Sequence, residues 1–126
     1  MEESILTSIK KLLGITEEYT YFDVDIIMHI NSAFSILTQL GVGPSNGFSI
    51  EDDSSTWDEF ITDKSVLESV KSYIYMKVRL MFDPPSSSFV LDSMDKMTKE
   101  LEWRLNATAE YNKPESEEVN SKWRKT

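Results

Sequence analysis

Apolar residues recur at helical spacing in five stretches of the chain, separated by polar breaks that carry glycine or proline. The first stretch, about residues 2–13, sets Ile5, Leu6, Ile9, Leu12 and Leu13 on one face. Ser4 or Glu3 can cap it, and Gly14 stands where a helix C′ glycine belongs. The second starts at Asp23, a good N-cap, and its apolar half is Ile26, Ile27, Ile30, Ala33, Phe34, Ile36, Leu37 and Leu40. Gly41 ends it after roughly 16 residues, about 24 Å of helix. Residues 42–55 are rich in Gly, Ser, Asn and Asp and read as a loop. Asn46-Gly47 is a turn signal, and Phe48-Ser49-Ile50 alternates, so the loop has room for a short strand or β-hairpin.

Thr56 and Glu59 have the spacing of a capping box, which opens a short helix over 57–62. Ser65 and Glu68 repeat that spacing and open a fourth helix reaching Phe82. Leu67, Val70, Ile74, Val78 and Met81 form one stripe on it, and Val66, Tyr73, Met76 and Leu80 a second. So wide an apolar arc predicts a central helix packed on two sides. Asp83-Pro84-Pro85 stops it, because proline lacks the N–H and restricts the residue before it. One of Ser86, Ser87 and Ser88 caps a fifth helix over about 89–110, with Leu91, Met94, Thr98, Leu101, Leu105 and Ala109 inward. From residue 111 the pattern lapses, and Pro114 follows. The expectation is a single small all-α domain of four to five helices over 1–110, with one irregular loop that has room for a short hairpin. A mobile or extended tail, 111–126, follows it.

Composition narrows what such a domain can do. At 126 residues the chain suits one domain with one core. It has no cysteine and one histidine, which excludes disulfide scaffolds, thiol nucleophiles and Cys- or His-rich metal centres. The net charge is −9, against a protein that coats DNA by neutralising phosphates. The N-terminal sequence is acidic and then amphipathic, unlike a secretory signal. The densest apolar stretch, 65–82, is interrupted by Glu68, Lys71, Lys77 and Arg79 and does not predict a membrane span. The sequon at Asn106 reads as chance, and the lack of cysteine fits a reducing cytoplasm.

Chemistry is sparse. His29 falls on the polar half of the second helix with no triad motif around it, so a structural histidine is preferred to a catalytic one. Glu51-Asp52-Asp53 lacks the alternating ligands and glycine of a calcium loop and reads as a solvated acidic turn. No phosphate-binding glycine loop is present. No catalytic, cofactor or metal residue is assigned, and no enzymatic activity is expected.

Several side chains instead point to protein contacts. Lys77 lies inside the apolar arc of the fourth helix. Either its stem lies on the core edge with the amine in water, or it pairs with an acid across a subunit interface. Phe89 and Trp103 lie opposite the core stripe of the fifth helix, with Lys96 and Lys99 near Trp103. They mark either isolated exposed rings or a second packing surface covered by the tail, the first helix or another subunit. Trp57 and Phe60 pose the same choice between own core and partner contact. The tail carries a net +1, leaving −10 on the body, and it holds the basic, aromatic run Lys122, Trp123, Arg124 and Lys125. That run is either a solubilising end or a docking peptide for an acidic partner.

One family joins these pieces. The strings Asp25-Ile26-Ile27-Met28-His29-Ile30-Asn31-Ser32-Ala33-Phe34 and Leu40-Gly41-Val42-Gly43-Pro44 are followed by Thr56-Trp57-Asp58-Glu59-Phe60. Then come Tyr73-Ile74-Tyr75-Met76-Lys77-Val78-Arg79-Leu80-Met81-Phe82-Asp83-Pro84-Pro85 and Glu100-Leu101-Glu102-Trp103-Arg104-Leu105. Together, over about residues 6–110, they resemble the small head–tail connector proteins, also called adaptor or head-completion proteins, of phages and prophages of Gram-positive bacteria. The resemblance implies a mostly helical subunit of a ring of about a dozen copies, built by heterologous side-by-side contacts. It implies a place in the virion neck, below the portal protein, reached from the host cytoplasm during assembly. It also implies a DNA channel extended without specific DNA binding, a surface for the next neck or tail-completion protein, and no catalytic residues. A mobile basic tail would suit a strap onto the portal. Two other classes stand beside this one: a helical DNA-packaging or nucleic-acid-handling module, and a host-directed adaptor that binds one bacterial protein.

Overall fold

Two glycines end the first two helices by the same device. In the computed structural model, which describes residues 3–112, α1 spans Ile5–Leu12 and α2 spans Asp23–Gln39. Gly14 and Gly41 follow them at φ +83° and +85°, a backbone region open to glycine. The Gly14 N–H donates to Lys11 O and the Ile15 N–H to Lys10 O. The Gly41 N–H donates to Thr38 O and the Val42 N–H to Leu37 O. Both pairs are Schellman closures, which satisfy carbonyls that a bare helix end leaves open. The sequence placed both stops correctly.

Three further helices complete the fold: α3 (Trp57–Phe60), α4 (Lys64–Phe82) and α5 (Ser88–Tyr111). Helix α4 packs against both α2 and α5, and α1 lies against α2 and α4. The wide apolar arc of α4 thus takes the central place expected of it. Phe34 of α2 anchors the core, with its ring centroid 4.6 Å from Phe60 and 5.0 Å from Phe48. Ser87 caps α5, its hydroxyl accepting the Val90 N–H. The N-terminal segment pairs with the approach to α3 through a bridge between Ser4 and Thr56, with Ile5 N–H donating to Ser55 O.

Four expectations need correction. Asp23 does not cap α2 but sits in its first turn, where its carboxylate meets the Lys10 ammonium at 2.9 Å. Asp63, not Ser65, caps α4: its carboxylate accepts the Ser65 N–H and hydroxyl at 3.0 and 2.6 Å. Helix α3 closes at Phe60, because Ile61 is already extended. No hairpin forms in residues 42–55, and the described residues contain no strand. The reason is Asn31 of α2. Its side-chain amide donates to Ile50 O at 3.0 Å, and its oxygen accepts the Ile50 N–H at 2.8 Å. One amide thereby does what a partner strand would have done, and Ile50 drops into the core.

Burial along α1 also differs from the expected stripe. Leu12 is exposed, while Lys10 is 2% exposed. Its ammonium donates to the carbonyls of Tyr19 at 2.8 Å and Glu17 at 3.1 Å, besides pairing with Asp23. The α1–α2 connection is wrapped around this one amine. On α4, Met81 faces outward rather than joining the inner stripe.

Candidate protein interface

Helix α5 is 24 residues long, yet only Thr98 and Leu105 on it are fully buried. Its opposite side carries Phe89, 78% exposed, and Trp103, 72% exposed. At about 1.5 Å per residue the two rings stand about 21 Å apart on nearly the same side of the helix. Met97 and Val90 flank them and are also exposed. Charges on this helix pair locally: Lys99 with Asp95 at 3.1 Å and Arg104 with Glu100 at 2.8 Å, both at i,i+4. The ridge is therefore apolar at its named points, with neighbouring charges held in pairs.

A second exposed surface rises where the α1–α2 connection meets the end of α4. Phe22 is its base, with ring centroids 5.2 Å from Phe82 and 4.9 Å from Tyr21, both edge to face. Tyr19 packs on Phe22 at 5.9 Å. Tyr21 is 78% exposed. Val24 and Met28, one turn apart on the outer side of α2, are exposed as well. His29 is half-buried, with its ring 6.3 Å from Phe82, which gives it a packing place on this surface.

The other candidates turn inward. Trp57 and Phe60 are each 3% exposed, so both belong to this chain's own core and not to a partner surface. The Trp57 indole N–H donates to Ser8 Oγ at 2.9 Å, which gives its polar edge a buried partner. Lys71 stands over the same ring, 5.7 Å from its centroid. Phe60 lies beneath Gly43, where a Cβ would collide with the ring.

Lys77 does pair with an acid, but within the chain. Its ammonium is 3.7 Å from Glu102 Oε2 on α5. The same oxygen accepts the hydroxyl of fully buried Tyr73 at 2.6 Å. Burial pushes the Tyr73 phenol well above its ordinary range, and the adjacent Glu102 carboxylate pushes the same way. Tyr73 therefore stays neutral and donates, and the trio joins α4 to α5. Lys122, Trp123, Arg124 and Lys125 lie outside the described residues, as does the expectation of an extended tail. Among the described residues no three acidic or histidine side chains gather to hold a metal. Asp52 instead accepts the Ser54 N–H and hydroxyl, closing its own turn.

A family model described as phage connector protein matches residues 5–112, nearly all of the described fold. The chain belongs to that family. No curated protein and no solved structure matches it. The match bears out the expected family resemblance and the structural role of a phage connector. No helix among the described residues of this connector is long and apolar enough to cross a membrane.

The sequence pointed to Phe89 and Trp103 because both depart from an otherwise clear stripe. It missed Tyr19, Tyr21, Val24 and Met28. A signal existed: Val24 and Met28 are apolar, one turn apart, and opposite the inward Ile26 and Ile30. The aromatic run Tyr19-Thr20-Tyr21-Phe22 just before the helix is the other trace.

Proposed function

We propose that this connector is a structural subunit of the head–tail ring in the virion neck. It docks below the portal protein, lengthens the DNA channel and receives the next neck or tail-completion protein. Family membership over residues 5–112 carries the reading. Two features of the chain support it. A ring needs two different faces that meet in turn. The α5 ridge at Phe89 and Trp103 and the Tyr21, Val24 and Met28 surface are two such faces, both apolar and both exposed. Lys77 is not needed for either, since its acid is Glu102 of the same chain. The net charge of −9 suits a channel wall, past which DNA slides without the counterion release that would hold it. The same charge disfavours a nucleic-acid-gripping module.

Mixing the connector with the purified portal protein tests this, with mass read by light scattering and shape by electron microscopy. Ring-sized complexes of many connector copies per portal are expected. A connector that stays unattached to its own portal overturns the reading.

A further inference from the structure

A cavity of about 440 Å³ opens where α2 and α5 both come to an end. Val42, Ile61, Val66 and Leu105 supply its apolar wall, and Asp63 and Glu110 are its acids. No lysine or arginine lines it among the described residues. Neither α2 nor α5 carries a basic residue in its last turn. Each helix therefore brings the negative end of its dipole to the same place with no cationic side chain of its own against it, although the Asn106 amide donates to Leu40 O at the end of α2. Asp63 is held in its charged form by the Ser65 hydroxyl and N–H. The site combines an apolar floor with negative charge from four sources, two side chains and two helix ends.

Asn112 lines this cavity, and the chain leaves the described fold from there. After nine intervening residues come Lys122, Trp123 and Arg124, an aromatic ring between two cations. Nine extended residues reach about 30 Å, far more than a return to the starting cavity requires. A tether this short gives an effective local concentration of about a millimolar, so even a weak site fills from its own chain before a second copy competes at micromolar concentration.

We propose that Trp123 of the same chain docks in this cavity, with Lys122 and Arg124 set against Asp63, Glu110 and the two helix ends. The basic run is then held on the subunit's own body until something displaces it. This stands apart from the ring reading, because it concerns the isolated chain and needs no portal.

The chain has no cysteine, so Ser121→Cys offers a single site for a nitroxide label on the full-length protein. In ¹⁵N spectra of the labelled chain, the amides of Gly41, Gly43, Ile61 and Leu105 are expected to lose most of their intensity. Val24, about 26 Å away along α2, keeps its own. Adding Trp123→Ala, or Lys122→Glu with Arg124→Glu, restores the lost signals. The packed core is built from residues 5–105, so neither change removes a core side chain. Unchanged intensity at the cavity in the full chain overturns the proposal, as does a loss that survives both variants. A loss that appears when nitroxide-bearing ¹⁴N chains are mixed with unlabelled ¹⁵N chains assigns the cavity to a second copy and overturns it too.

Discussion

Replacing Lys10 with methionine keeps the side chain's length and apolar stem but removes its charge. In the folded protein that ammonium serves three acceptors at once: Tyr19 O, Glu17 O and the Asp23 carboxylate. Its side chain is 3% exposed, whereas that of Asp23 is 23% exposed. Breaking a fully buried pair costs about 3–5 kcal/mol, and each buried acceptor left without a donor costs about 1–3 kcal/mol. Asp23 Oδ1 is itself buried, but the rest of that side chain and the exposed connection are open to water, which recovers part of this. A net loss of about 2–4 kcal/mol is expected for Lys10→Met. For a domain of this size that lowers Tm by roughly 8–15 °C. Urea unfolding followed by circular dichroism measures it as a shift in midpoint at constant slope. Asp23→Asn alone should cost less, and the double variant should fall short of the sum by about 1 kcal/mol or more. A Lys10→Met protein within about 0.5 kcal/mol of the parent refutes the reasoning, since that is the ordinary range of a surface change.

Other expectations follow from equally local contacts. Gly43→Ala meets both a positive φ of 85° and the Phe60 ring, and should cost about 2–4 kcal/mol in the same unfolding assay. Asn31→Leu keeps the volume but strips Ile50 of both its hydrogen-bond partners, so a loss of about 2 kcal/mol is expected, with amide exchange rising first in residues 48–52. Phe89→Ser combined with Trp103→Ser should leave Tm within about 2 °C yet weaken assembly with the portal about 10-fold or more, because exposed rings contribute only when a partner covers them. The Tyr73 phenol is shifted upward by folding, so its contribution is complete below its unfolded value of 10.0 and declines as pH rises above that. Alkaline unfolding should thus be shallower in Tyr73→Phe, by about one proton in the pH dependence of stability.

What the sequence disclosed was the part governed by near neighbours. Gly14 and Gly41 stop their helices through bonds within five residues, so the stops were readable as written. The central place of α4 was readable from its own two stripes. Lys10 was not, because its partners lie at Glu17, Tyr19 and Asp23 and its burial follows from how the connection folds back. A lysine counts as polar in any periodicity, although its stem and amine can be enclosed when acceptors converge on it. The hairpin failed for a similar reason. Residues 48–50 do alternate, yet a side chain from a helix 19 residues earlier satisfied the backbone of Ile50 first. For the interface, Phe89 and Trp103 stood out against a strong stripe, but whether Trp57 and Phe60 faced in or out depended on the ring of Phe34 and on Ser8, neither of which is a neighbour in sequence.

The uneven burial of α5 bears on timing. Its first ten residues, 88–97, include none that is fully buried, while Thr98, Leu105 and the Tyr73–Glu102–Lys77 link hold the remainder. Opening of the first half therefore requires little work, and opening of the second requires breaking into the core. The two halves of one continuous helix run on different clocks. The half that opens readily is the one behind Asp83-Pro84-Pro85, and it carries Phe89. A partner that grips Phe89 meets a segment able to adjust its seat before it locks, while the rest of the subunit keeps its shape.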